Sequence, residues 1–324
     1  MRIVMMGTGT FAEPTLEALL AGPHQMVGLV TQPDRAVGQE RGSTRQTGRG
    51  MKTIAQERGV PVFQPERINT PEGVEGLRKW QPDLLVVAAY GQILSNDVLA
   101  IPERGGINVH ASLLPKYRGA APIAWAIYHG ETQTGVTIIQ MSTRLDAGNM
   151  LAQQAIDIGP DETAGELEAR LAPLGARLAL QTIQEIELGR TKSLPQDASL
   201  VSKAPKLTKE HGLLDWTRPA QAVCNQIRAM QPWPTAYTFW QQQGKPPLRL
   251  MILKARPSEK QTLPDAIFGQ VVPVRDSPHV LHVAAGDGRL VEILEVQPAG
   301  KRRMATADFL RGHPALPGDF LGNG

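Results

Sequence analysis

Short apolar runs alternate with stretches of helical spacing through the first 160 residues, and this alternation restricts the fold of the 324-residue chain more than any other feature. The runs, rich in Val and Ile, are 3–6, 26–31, 84–89, 107–110 and 136–141. Helical stretches lie between them at 12–21, 51–58, 71–80 and 120–128. Each helix carries the chain back to start the next strand in the same direction. The pattern therefore predicts an α/β fold with a mostly parallel sheet covered on both faces. Ligands of such sheets bind at the C-terminal strand ends.

A long helix is expected over 162–188, where Leu167, Leu171, Leu174, Leu178 and Ile183 recur at roughly helical spacing. Composition then shifts. Residues 190–207 hold Pro195 and Pro205 with weak periodicity and read as a linker between domains at 1–189 and 208–324. In the second domain Thr217 is expected to cap a helix with Pro219 in its first turn and Val223, Ile227 and Met230 on one apolar face. Beyond Pro234, strand-like runs at 236–240, 248–255, 268–274, 280–284 and 290–296 predict a small β-domain of barrel type.

Composition excludes several classes. No apolar run approaches the roughly 18 residues of a membrane span, and the first residues lack the apolar region of a signal peptide. A lone Cys224 forbids an intrachain disulfide, and a cytoplasmic protein is expected. Cys224 itself reads as core, and the histidines show no metal-ligand spacing. Charge is one-sided: residues 201–324 carry 16 Lys+Arg against 10 Asp+Glu, which suits an acidic partner such as a nucleic acid. The stretch 33–52 adds Arg35, Arg41, Arg45, Arg49 and Lys52 against Asp34 and Glu40, with four glycines. Such a long basic insertion is suited to gripping phosphates.

Gly106-Ile107-Asn108-Val109-His110 reads as a strand followed by the turn Ala111-Ser112-Leu113-Leu114-Pro115. The side-chain period of two sends Asn108 and His110 to one face. An amide beside an imidazole at a strand end suits stabilising an oxyanion during acyl transfer. Another buried strand runs into a polar loop that carries Asp146. The residues alone leave open whether Asn108, His110 and Asp146 form one site or serve separately in packing and a turn. Gly7-Thr8-Gly9-Thr10-Phe11-Ala12 superficially matches a dinucleotide fingerprint, yet Thr31-Gln32-Pro33 stands where a ribose needs an acid. It reads as a glycine turn, without NAD. Trp216, Trp233, Tyr237, Phe239 and Trp240 read as a small-domain core or seam before a base-stacking platform.

Assembled, these residues resemble the methionyl-tRNA formyltransferase family over nearly the whole length. Asn108, His110 and Asp146 match the catalytic positions of folate-dependent formyltransferases. Ser112-Leu113-Leu114-Pro115 with Arg118-Gly119-Ala120-Ala121-Pro122-Ile123 is similar to their signature loop. The basic insertion and Asn225-Gln226-Ile227-Arg228 with Pro232-Trp233-Pro234-Thr235-Ala236-Tyr237 narrow the resemblance to the tRNA-directed family. Asp146-Ala147-Gly148-Asn149 stands where that family usually has Asp-Thr-Gly-Asp.

The resemblance implies a Rossmann-like formyltransferase domain, an OB-like barrel, and 10-formyltetrahydrofolate as cosubstrate without metal or NAD. It implies a monomer, away from membranes, acting on methionyl initiator tRNA. Asn108 and His110 would donate to the oxyanion, and Asp146 would hold His110 and help move a proton. Tyr90, Gly91, Ser112, Leu113, Leu114 and Pro115 would line the folate pocket. Arg41, Arg45 and Arg49 would reach the acceptor stem. Two alternatives remain: formylation of an amino-sugar nucleotide or other small amine, and a non-catalytic RNA-binding protein with a decayed enzyme domain.

Overall fold

The computed structural model describes residues 1–34, 49–261, 266–274 and 279–322. Their contacts divide the chain into two compact units. Unit 1 comprises Met1–Ala126, Thr132–Gly159 and Glu166–Lys206; unit 2 comprises Ile127–Glu131, Pro160–Gly165 and Leu207–Gly324. No helix among the described residues is long and apolar enough to cross a membrane.

Unit 1 opens with β1 (Arg2–Gly7), α1 (Glu13–Ala21), β2 (Gln25–Val30), α2 (Met51–Glu57), β3 (Val62–Phe63), α3 (Pro71–Arg78) and β4 (Leu84–Ala88). It continues through α4 (Asn96–Leu99), β5 (Gly106–His110), β6 (Arg118–Gly119), α5 (Pro122–Tyr128, whose end lies in unit 2), β7 (Gln133–Gln140), β8 (Met150–Asp157), α6 (Ala164–Glu187) and β9 (Lys203–Ala204). The seven-stranded sheet has the order β3-β2-β1-β4-β5-β7-β8. Its first five strands are parallel; the expected runs account for β1, β2, β4 and β5 among them, whereas the expected run at 136–141 becomes β7, which with β8 is antiparallel. The sequence does not announce β3, which is only two residues long. Nor does it announce β8: this edge strand is largely exposed and lacks the apolar run of a buried one.

The turn between β1 and α1 is tight. A Cβ on Gly7 would sit 2.8 Å from the Ala88 carbonyl and 2.9 Å from the Ala12 methyl. Helix α6 then decides which way β5 faces. A Cβ built on Gly175 would lie 2.7 Å from Val109 Cγ1, so the helix backbone packs directly on that side of the strand. Val109 is buried there, and the period of two sends Asn108 and His110 to the opposite face.

Residues 190–206 hold more structure than the linker read from their composition. Leu194 exchanges two backbone hydrogen bonds with Met150, β9 pairs in parallel with β6, and Trp125 Nε1 donates to the Pro205 carbonyl at 2.7 Å. Prolines and polar residues hide this docking, because each contact uses backbone or a single polar atom rather than an apolar face.

Unit 2 holds α7 (Ala220–Ala229), β10 (Tyr237–Gln241), β11 (Leu248–Gln261), β12 (Leu281–Ala284), β13 (Arg289–Pro298), β14 (Met304–Ala305), α8 (Thr306–Gly312) and β15 (Phe320–Gly322). The sheet is antiparallel, in the order β12-β13-β11-β10-β15, with β14 against β13. Its two edges meet: Gln270 bridges Phe320 of β15 while Val271 bridges Val283 of β12, which closes the sheet as a barrel. The expected strand over 268–274 is reduced to these two bridges. Thr217 does not cap α7. Its hydroxyl bonds Asp215, and Asp287 Oδ1 instead accepts the Ala220 N–H at 3.1 Å, with Pro219 at the cap position. Trp216 and Trp240 are buried, and Trp216 Nε1 donates to Thr238 Oγ1, so they form core and not an open stacking face. Burial pushes the Cys224 thiol up to about 12, the property of a packing residue.

One buried carboxylate carries a pH signature. Glu168 on α6 accepts a hydrogen bond from the Thr10 hydroxyl. Burial raises its carboxyl above the ordinary range despite that bond. The folded chain therefore binds a proton that the unfolded chain releases. That contribution to stability is complete below the ordinary glutamate range and is lost as pH rises through the raised value. Glu168→Gln keeps the acceptor and removes the charge. Melting curves are expected to show stabilisation at pH 8, about 2–4 °C for each kcal/mol recovered, and no change at pH 4.

Candidate active site

Strand β5 delivers Asn108 and His110 beside β7, where Asn108 pairs with Ile139 and His110 with Thr137. The loop after β7 brings Asp146 back over them. Asn108 Nδ2 donates to Asp146 Oδ1 at 3.3 Å, and His110 Nδ1 lies 3.6 Å from Asp146 Oδ2. The Gly119 N–H donates to the same Oδ2 at 2.9 Å. His110 and Asp146 are 5% and 10% exposed, so these contacts are sheltered from water. The three predicted catalytic residues form one cluster.

His110 Nε2 lies 2.9 Å from the Tyr117 carbonyl, which can only accept, so Nε2 carries the hydrogen. Nε2 is thus engaged by Tyr117, while Nδ1 faces Asp146 at 3.6 Å, beyond hydrogen-bond distance. The amide of Asn108 has two hydrogens and gives one to Asp146. The second amide hydrogen of Asn108, beyond the one given to Asp146, can serve a further acceptor.

Two glycines permit this approach. Gly119 has φ 133°, and a Cβ there would lie 2.3 Å from the Ala204 carbonyl. A Cβ on Gly148 would lie 1.6 Å from the Gln140 carbonyl. Asp146 itself has φ 46°, a left-handed conformation that Asp tolerates better than most residues. Of the departures in this loop, Asn149 has a partner of its own, donating to Ser193 Oγ at 2.9 Å.

Sequence reading did not find the residues that hold the loops. Thr137, fully buried, donates to the Ser112 carbonyl at 2.7 Å and accepts from Leu114 N–H and Gln153 Nε2. Gln196 Nε2 donates to the carbonyls of Asp146 (2.8 Å) and Gly148 (2.7 Å). Arg118 donates to Gln196 Oε1 through Nε and Nη2 at 3.0 and 2.8 Å. Thr137 could have been suspected as a polar residue inside an apolar strand; no local signal marks Gln196.

The expected folate-lining residues divide by exposure. Ser112 and Leu114 are buried, the Ser112 hydroxyl donates to the Lys116 carbonyl, and the Leu114–Pro115 peptide is cis. Leu113 and Pro115 are half-buried. The Tyr90 ring packs in the core with Val4, Met6 and Leu94, and among the described residues its hydroxyl has no hydrogen-bond partner. Burial raises that hydroxyl above the ordinary tyrosine range. Gly91 has φ 83°, and a Cβ built on it would meet no atom of the described residues within 4 Å. At the end of β2, Thr31 Oγ1 lies 3.2 Å from Thr8 Oγ1, and Asp34 is held below the usual carboxylate range by hydrogen bonds from Lys52 and Gln64.

Arg41 and Arg45 lie outside the described residues. Arg49 pairs with Glu57 and, at 3.8 Å, with Glu17. Among the described residues, no three His, Cys, Asp or Glu gather as metal ligands.

Fold and site together define a formyl transferase. The model of the family described as "Formyl transferase" matches residues 1–183, and that of "Formyl transferase, C-terminal domain" matches residues 206–314. The methionyl-tRNA formyltransferase of Moorella thermoacetica is 44% identical over 99% of both chains. That of Geobacter sulfurreducens is 43% identical over 99% of this chain and 97% of its own. Among solved structures, the N-formyltransferase of Helicobacter canadensis, in complex with folinic acid and dTDP-3-aminofucose, superposes with a TM-score of 0.66. It is 17% identical and covers 91% of this chain and 98% of its own, a likeness of fold. The chain belongs to the methionyl-tRNA formyltransferases.

The Thr137 hydroxyl gives a direct test of the scaffold. Thr137→Val leaves the buried Leu114 N–H and Ser112 carbonyl without this partner, and each unpaired group costs about 1–3 kcal/mol. Urea unfolding is expected to show a loss of about 2–6 kcal/mol for Val, the two groups together, and much less for Thr137→Ser.

Proposed function

We propose that Asn108, His110 and Asp146 transfer the formyl group of 10-formyltetrahydrofolate to the α-amine of methionyl initiator tRNA. The observation that carries this reading is the single carboxylate of Asp146, which meets both the amide and the imidazole in a sheltered site.

The neutral amine attacks the formyl carbon; a free α-amine has a pKa near ~7.7–8, so a useful fraction of it is neutral at physiological pH. The carbonyl oxygen becomes an oxyanion, stabilised by the second N–H of Asn108. One such donor is worth about 10²–10³ in rate. The bond between carbon and the folate nitrogen then breaks. One proton leaves the amine and one reaches that nitrogen, and the pair His110 Nδ1 and Asp146 Oδ2 is placed to receive the first and return the second. With Nε2 committed to Tyr117, Nδ1 is the nitrogen left for this work.

The folate is read as lying along Gly91 and the 112–115 turn. The tRNA is read as meeting the basic insertion through Arg41, Arg45 and Arg49. The ion pairs of Arg49 are exposed and worth about 0–1 kcal/mol, so exchanging them for phosphates is inexpensive. The closed antiparallel barrel and the positive balance of residues 201–324 support an OB-type tRNA-binding domain. The enzyme is read as a cytoplasmic monomer.

His110→Ala and Asp146→Ala are each expected to lower turnover at least about a hundredfold while tRNA affinity stays close to wild type. Near-normal turnover in both removes these residues from the mechanism. Replacing Arg41, Arg45 and Arg49 together by Ala is expected to weaken tRNA use and flatten its salt dependence; an unchanged slope excludes phosphate contact. Supplying formyl donor with charged initiator tRNA or with amino-sugar nucleotides separates the two acceptors, and activity on the sugar alone overturns the assignment.

A further inference from the structure

We infer that Gln196 is a positioning residue for formyl transfer: it clamps the Asp146 loop against the segment that presents Tyr117 and Gly119 to the site. The inference rests on the catalytic reading of Asp146.

Within the loop the Ala147 N–H donates to the Arg144 carbonyl at 3.3 Å and the Ser142 hydroxyl to the same oxygen at 3.2 Å, but these bonds do not reach the carbonyls of Asp146 and Gly148. Asp146 sits at φ 46°, a left-handed backbone state disfavoured outside glycine. Leu145 beside it is 56% exposed, so apolar packing does not anchor the turn. The Gln196 amide supplies what the loop lacks. Its nitrogen donates both hydrogens, to the carbonyl of Asp146 and to that of Gly148, on either side of Ala147. Its oxygen accepts two hydrogens from Arg118. The guanidinium draws electron density from the amide and strengthens the two bonds on its far side.

The contacts close into a ring. Arg118 is flanked by Tyr117, whose carbonyl takes His110 Nε2–H, and by Gly119, whose N–H donates to Asp146 Oδ2. Gln196 joins this segment to the backbone of the residue whose carboxylate it already binds. The carboxylate of Asp146 and the ring of His110 are thus located from a common frame. Losing the clamp leaves Asp146 chemically intact but free to drift, and a displacement of about 1 Å can cost a hundredfold in rate. Gln196 touches neither reacting group directly.

The test uses the full-length enzyme and four variants. Gln196→Met keeps the length and removes the amide. Gln196→Glu keeps an acceptor for Arg118 but sets an oxygen against two carbonyls. Each is expected to lower kcat about tenfold or more, with KM for folate and for tRNA within about twofold, and Glu is expected to be at least as impaired as Met. Asp146→Ala and the double variant Gln196→Met/Asp146→Ala complete the cycle. With Asp146 absent, removing Gln196 is expected to have little further effect on kcat. A residue that merely supports the fold would lower stability and multiply the losses.

The outcomes separate. Normal kcat in both Gln196 variants beside an impaired Asp146→Ala overturns this proposal alone. Full multiplication in the double variant does the same. Normal kcat in Asp146→Ala overturns the catalytic reading, and this inference with it. Circular dichroism melts on every variant ensure that the comparison is made between folded proteins.

Discussion

The carboxylate of Asp146 is the interaction on which the arrangement depends. Three separate pieces of chain meet on it: the end of β5 through Asn108 and His110, the 117–119 segment through Gly119, and its own loop after β7. A carboxylate accepts several hydrogen bonds at once, so one side chain can set the relation among three loops. It does this where water is largely excluded, which makes each contact stronger than on the surface. An amide or hydroxyl at this position could not bind two donors and face an imidazole with the same charge.

The sheet explains why these pieces arrive together. The parallel strands place their C-terminal ends on one side, and β5 ends there with its polar pair turned away from α6. Reversal at β7 then sends the next strand back beside β5 and sets Thr137 opposite His110. The Thr137 hydroxyl holds the 112–114 turn, whose continuation carries Tyr117 and Gly119. Chemistry and scaffold are therefore adjacent in the register of a single strand pair.

Much of this was legible in the chain. The alternation of runs and helical stretches predicts β1, β2, β4 and β5 of the parallel set, and α6 follows its leucine spacing. The period of two predicts that Asn108 and His110 share a face. Less visible were β8, whose exposed edge position requires no apolar run, and the docking of residues 190–206. The cap of α7 is a similar case. Thr217 is the local candidate, but Asp287, 67 residues away, reaches the Ala220 N–H and takes the position. Capping by a distant side chain satisfies the same donor and leaves no trace in the neighbouring sequence.

By itself the sequence determined the architecture of the catalytic half, the pairing of amide and imidazole on one strand face, and the family to which the chain is similar. These follow from short-range periodicity, which survives in a linear string. Only the tertiary structure decided that Asp146 joins them from 38 residues away, which imidazole nitrogen faces it, and that Gln196 braces it across a gap of 50 residues. Hydrogen bonds between such distant positions depend on where folded elements come to rest. Burial of common apolar surface sets that, and it imposes no spacing on the few polar atoms that meet inside.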